Sequence, residues 1–98
     1  MLKLNKYKSF EWDKGNIDKS YKKHGITPKE AEEAFVDEKA IILKDIKHSK
    51  KEKRYLLLGR SVENKILLVA FTLRDARIRI ISARIANKKE KGRYVKKI

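Results

Sequence analysis

The feature that most limits what this chain can become is a pair of neighbouring segments, Ile66–Leu73 and Arg77–Arg84. The first, Ile66-Leu67-Leu68-Val69-Ala70-Phe71-Thr72-Leu73, is apolar at both parities, the pattern of a strand covered on both faces. The second, Arg77-Ile78-Arg79-Ile80-Ile81-Ser82-Ala83-Arg84, alternates at its start. That puts Arg77 and Arg79 on one face and Ile78 and Ile80 on the other. The link Arg74-Asp75-Ala76 has room only for a turn, so the two strands run antiparallel. A core strand hairpinned to an arginine strand holds guanidinium groups on a rigid platform. Arg84 has the parity of Ile80, so a flat strand would send it away from Arg79. The two share a face only past the strand end or across a bulge.

Charge points the same way. Lys+Arg number 27 against 13 Asp+Glu, a net +14. Residues 1–50 contribute +3 of this and residues 51–98 contribute +11. All seven arginines, Arg54, Arg60, Arg74, Arg77, Arg79, Arg84 and Arg93, lie in the second half. Arginine suits bidentate phosphate contacts, whereas lysine acts as a flexible point charge. A polyanion is the implied partner, with nucleic acid ahead of a membrane surface. The chain has no cysteine, which excludes disulfides, thiolate catalysis and cysteine-based zinc sites. The first residues carry no apolar signal core, and the longest apolar run is far short of a membrane span. A cytoplasmic protein with no membrane partner is expected, folded as one domain over residues 1–98.

Taken in order, Lys8-Ser9-Phe10-Glu11-Trp12 alternates polar and aromatic residues and predicts an edge strand with Phe10 and Trp12 on one face. Asp13 can cap a first helix reaching His24. Thr27-Pro28-Lys29-Glu30 is a capping box with proline at the first helical position. The second helix it opens should bury Ala31, Ala34 and Phe35. Ala40–Leu43 predicts a strand, Lys47–Lys53 a polar linker, and Arg54–Arg60 a further strand. Ser61–Lys65 reads as a hairpin turn. Asn87-Lys88-Lys89-Glu90 has capping-box spacing and opens a basic C-terminal helix, weakened by Gly92. The expected fold is α+β: an antiparallel sheet of about four strands packed against two N-terminal helices and one C-terminal helix.

The acids of the second half are only Glu52, Glu63, Asp75 and Glu90, too few to expect a metal site. There is no glycine-rich phosphate loop, and no cofactor is implied. RNA cleavage without metal needs less. The 2′-OH attacks its own phosphate, a base takes its proton, cations stabilise the phosphorane, and an acid serves the leaving 5′ oxygen. His24 at a helix end is either a packed, dipole-stabilised histidine or an acid–base group. His48 reads as a solvated linker residue. Glu52 is either half of a surface ion pair with Arg54 or a base. Tyr94 is either a packing residue or an acid. The lysines of the last helix form a solvated face that also attracts RNA.

Several pieces resemble a known family. They are Phe10-Glu11-Trp12-Asp13, Lys23-His24-Gly25 leading to Glu30-Ala31, Glu52-Lys53-Arg54-Tyr55 through Leu58-Gly59, Arg79-Ile80-Ile81-Ser82-Ala83-Arg84, and the tail Asn87–Tyr94 with Glu90 and Tyr94. In order and spacing they resemble the BrnT ribonuclease toxins of bacterial type II toxin–antitoxin pairs. Tyr55 departs from the phenylalanine expected there, and the basic excess is high. The resemblance implies a RelE-like fold and a metal-independent endoribonuclease that blocks translation. It also implies a cognate ribbon-helix-helix, BrnA-like antitoxin that neutralises the toxin. The reading is therefore a ribonuclease in which Arg79 and Arg84 hold the phosphate, with Arg60 supporting and His24, Glu52 and Tyr94 as acid–base candidates. Arg54, Arg77, Lys88, Lys89 and Arg93 would bind RNA. The rival is a non-catalytic basic RNA- or DNA-binding module, which the charge fits equally well.

Overall fold

Four strands in succession pair as an antiparallel meander in this computed structural model, which describes residues 9–12, 25–45 and 52–97. They are β2 (Ile41–Lys44), β3 (Tyr55–Arg60), β4 (Ile66–Arg74) and β5 (Arg77–Ile85). The strand β1 (Ser9–Trp12) adds to the outer edge of β5, giving the order β1-β5-β4-β3-β2. It runs parallel to β5, with Phe10 beside Ile78 and Trp12 beside Ile80. The sheet is thus mixed and five-stranded rather than antiparallel with about four strands. The aromatic alternation of β1 specifies which face it buries, but nothing local in it specifies a partner 68 positions later. Two helices are present among the described residues, α1 (Pro28–Ala34) and α2 (Lys88–Lys97), against the three expected. The helix expected over Asp13–His24 lies outside the described residues.

α1 starts where the capping box requires. The Thr27 hydroxyl accepts from the Glu30 N–H at 3.2 Å, and the Glu30 carboxylate accepts from the Thr27 N–H at 3.1 Å. Ala31 and Ala34 are fully buried against one face of the sheet. Leu57, Val69, Phe71, Ile78 and Ile80 form that face, joined by Phe35, Phe10 and Trp12. Phe35 packs edge-on to both Phe10 and Phe71, at 5.2 and 5.0 Å between centroids. Gly59 lets the helix end approach: a Cβ there would lie 2.4 Å from the Ala34 carbonyl oxygen.

α2 lies on the opposite face at one end of it, where its Tyr94 packs with Ala86, just before the helix, over Leu58, Ile66 and Leu68. The strand expected to be buried on both faces is buried at Leu67, Val69 and Phe71 on the α1 side; on the other side Ile66, Leu68 and Ala70 are half-buried and Thr72 fully buried. The β4–β5 turn has two residues, Asp75 and Ala76, both in the left-handed region at φ 46° and 65°. That is the hairpin geometry whose twist suits the flanking strands.

Candidate active site

The arginines of β5 come to one face because the strand is not regular. Phe71 pairs with Ile80 and Ala70 with Ser82, so Ile81 has no partner and bulges. The extra residue resets the alternation. Ile78 and Ile80 face α1 before the bulge, and Ala83 faces it afterwards. Arg77, Arg79, Ser82 and Arg84 consequently all lie on the face opposite α1. The parity conflict between Arg79 and Arg84 is resolved within the strand itself.

Each arginine has its own surroundings. Arg84 is clamped by Glu90 at the start of α2: Nη1 donates to Oε1 at 2.8 Å and Nη2 to Oε2 at 2.9 Å. Its Nη1 also reaches the Ile85 carbonyl at 3.3 Å. The guanidinium holds the Glu90 carboxyl below the usual carboxylate range, against the effect of partial burial. Arg79 is half-buried and sits across from Thr72, whose own hydroxyl is buried without a hydrogen-bond partner. Arg77 pairs loosely with Glu11 of β1 at 3.6 Å. Across the hairpin from it, Arg74 donates through Nε to Glu52 at 2.8 Å. Glu52 thus faces Arg74, a partner different from the Arg54 that its sequence neighbourhood suggests. Arg54 is half-buried just before β3, and its carbonyl accepts from the Asp45 N–H. Lys88, Lys89 and Arg93 stand exposed on α2. His24 and His48 lie outside the described residues.

Arg60 and Tyr94 belong to a different cluster, at the α2 end of the sheet. The Arg60 guanidinium lies over the Tyr94 ring, 5.4 Å from its centroid. Tyr94 is 1% exposed and donates its hydroxyl to Asp37 at 2.5 Å. Asp37 also accepts from the backbone N–H groups of Arg60 at 2.9 Å and Lys39 at 3.0 Å. Burial works against ionisation of Asp37, but these three donors outweigh it and hold its carboxyl below the ordinary value. Burial and the Asp37 hydrogen bond push Tyr94 up to about 12. The sequence gives no sign of Asp37, which is 57 positions from Tyr94. Glu90 is visible in it only as a helix cap, not as the partner of Arg84.

The face can therefore present several guanidinium groups to an extended polyanion, and Arg84 is held there by a two-pronged contact with Glu90. Among the described residues no group of three or more acidic or histidine side chains could hold a metal ion. No helix among them is long and apolar enough to cross a membrane.

Residues 12–90 match the family model described as the ribonuclease toxin, BrnT, of type II toxin–antitoxin systems. Among solved structures, the chain is similar to the crystal structure of the Brucella abortus ribonuclease toxin, BrnT. The two share 20% identity with a TM-score of 0.61, over 82% of this chain and 97% of that one. That likeness speaks for the fold. No curated protein matches this sequence.

Proposed function

The chain belongs to the BrnT family of ribonuclease toxins of type II toxin–antitoxin systems, and from that premise we propose that it cuts RNA without a metal ion by turning the 2′-OH on the adjacent phosphate. The oxygen–phosphorus bond to the 2′ oxygen forms as the bond to the 5′ oxygen breaks. The 2′ proton passes to a base, an acid returns a proton to the leaving oxygen, and a 2′,3′-cyclic phosphate remains. The observation that carries this reading is the bulge at Ile81, which sets Arg79 and Arg84 on one face.

Five strand positions separate those two arginines, about 15 Å along the chain. They accordingly serve different phosphates of one RNA strand. Arg84, whose fork is held by Glu90, takes the scissile phosphate, because a donor aimed in advance stabilises developing charge most. Arg79 takes a neighbour. Arg77, Arg54, Lys88, Lys89 and Arg93 extend the basic track, and Arg60 supports its far end. His24 remains the acid–base candidate. Tyr94 and Glu52 are better read as structural: the tyrosine is buried on Asp37 with its proton held tightly, and Glu52 neutralises Arg74. The carboxylates of Glu52, Glu63 and Glu90 each turn to a cation.

A ribbon-helix-helix antitoxin would silence the enzyme by laying acidic side chains or bulk over the arginine face, in the cytoplasm where translation is the target. Coexpression with such a partner should give a complex that protects RNA.

The deciding experiment incubates purified protein with RNA in excess EDTA and examines the ends. Cyclic or 3′-phosphate products are expected, and Arg84→Ala should lose about 2–4 kcal/mol of transition-state stabilisation while staying folded. Activity abolished by EDTA and restored by Mg²⁺ would overturn the mechanism.

A further inference from the structure

We propose that Glu90 is a positioning residue for catalysis: it holds the Arg84 guanidinium in the orientation that the scissile phosphate requires. This deepens the reading above and rests on it. Glu90 performs two tasks with one carboxylate. Its Oε1 accepts from the Asn87 N–H at 2.9 Å, and the Asn87 side chain accepts from the Glu90 N–H at 2.9 Å, closing the cap of α2. The same carboxylate forks onto Nη1 and Nη2 of Arg84. Helix start and guanidinium are thus one rigid unit.

The geometry distinguishes positioning from obstruction. A carboxylate set end-on across Nη1 and Nη2 uses one hydrogen of each. The side edge, Nε–H with the second Nη2 hydrogen, carries no hydrogen bond among the described residues. A guanidinium has five donors in a fixed plane, so clamping one edge aims the other. A phosphate oxygen can meet that second edge without displacing Glu90. The side-chain entropy of a long arginine is removed by the protein before substrate arrives, which is where preorganisation gains its advantage.

Glu90→Gln isolates the fork. Its carbonyl oxygen still accepts from Asn87 and from one Arg84 nitrogen, but its NH₂ meets the second guanidinium N–H donor to donor. The measurement is kcat and KM per folded molecule on a transcribed messenger RNA, with circular dichroism and thermal melting for each variant. We expect kcat to fall by about 10- to 100-fold, the scale of a misplaced catalytic group. KM should not rise, since removing a negative charge from a basic face does not weaken RNA binding. The Arg84 side-chain NH signals should be separate in the wild type, where the fork restricts rotation, and should average together in Glu90→Gln. Asn87→Ala, which opens the cap but leaves the fork, should lower the melting temperature and keep kcat.

Wild-type kcat in Glu90→Gln would overturn the proposal. A higher kcat with a lower KM would do so too, by showing a competing carboxylate. An equal kcat loss in Asn87→Ala would reduce Glu90 to a helix cap. If Arg84→Ala itself cuts at the wild-type rate, it is the underlying site assignment that fails, and this inference with it.

Discussion

The two faces of the sheet use the same strands for opposite purposes. Toward α1, Leu57, Val69, Phe71, Ile78 and Ile80 are packed with Ile26, Ala31 and Ala34 and with four partly buried aromatics, Phe10, Trp12, Phe35 and Tyr55. Toward α2, one end is covered by Tyr94 while Ala70, Arg79, Ser82 and Arg84 stay half-buried or exposed. The apolar core is therefore concentrated on one side and the guanidinium groups of β5 on the other. Ile81 is the hinge of this arrangement, because its bulge keeps Ala83 in the core and Arg84 out of it.

The largest effect should come from breaking the sealed face. Phe71 is fully buried, edge-on to Phe35 and stacked on Tyr55 at 5.5 Å. Phe71→Ala should cost about 3–5 kcal/mol. That is a large share of the stability of a domain this size. Urea titration measures it, and a loss under about 1 kcal/mol would mean the face is not the core described here.

Arg79→Ala tests the other side. Stability should change by less than about 1 kcal/mol, as for a partly exposed side chain outside the core. Cleavage should fall chiefly through a higher KM, because a contact to a neighbouring phosphate is made in ground state and transition state alike. Arg79→Lys should recover RNA affinity better than rate, since the charge returns without the fork. A folded Arg79→Ala that binds and cuts RNA normally would remove Arg79 from the site and leave Arg84 as the β5 residue to test.

These two substitutions also mark what the sequence could and could not disclose. Period-two alternation names Phe10, Trp12, Ile78 and Ile80 as core, and capping chemistry names Thr27 with Glu30 and Asn87 with Glu90. Such signals are local, carried by residues within a few positions of each other. The rest depends on distant pairing. β1 chooses β5 as a parallel neighbour, Asp37 meets Tyr94, and Glu52 meets Arg74 rather than Arg54. A bulge leaves only a faint trace, the adjacent isoleucines at 80 and 81, so the face of Arg84 was open until the register was known. The candidate site was legible as a set of arginines, but the carboxylates that orient and neutralise them were not.

The join between the covered and open ends of the α2 face can be probed through Tyr94. Tyr94→Phe should cost about 1.5–3 kcal/mol at neutral pH, because ionised Asp37 loses a charged-acceptor hydrogen bond in a desolvated place. The pH dependence has a definite sign. The folded-state pKa of about 12 lies above the ordinary 10.0. Tyr94's contribution is therefore complete below about pH 10 and is lost as pH rises through about 12. The phenylalanine variant lacks that loss, so the stability gap should narrow over the same window. Asp37 works the other way: its carboxyl is depressed, so its contribution disappears as pH falls through the folded value. Cleavage per folded molecule should be unchanged in Tyr94→Phe if the tyrosine is structural, and a steep loss would return it to the chemistry.

The smallest effect is expected where neither face is touched. The turn that reverses β4 into β5 places Ala76 at φ 65°. A left-handed alanine costs roughly 1–2 kcal/mol because Cβ crowds the backbone. Two-residue turns of this kind favour glycine at the second position for that reason, and here Asp75 is followed by alanine instead. Ala76→Gly removes the crowding but gives the unfolded chain about 0.4–1 kcal/mol of extra entropy. The balance should be a gain of about 0.5–1 kcal/mol, seen as a rise of a few degrees in Tm. Arg74 and Arg77 face each other directly across this turn, each answered by a carboxylate, Glu52 and Glu11. A looser glycine turn that let those like charges spread would show up as a further, salt-sensitive gain. Cleavage should stay at the wild-type rate, because Ala76 is exposed and lies on neither the sealed nor the open face. A destabilised Ala76→Gly would mean that the turn is held by something other than its own backbone preference.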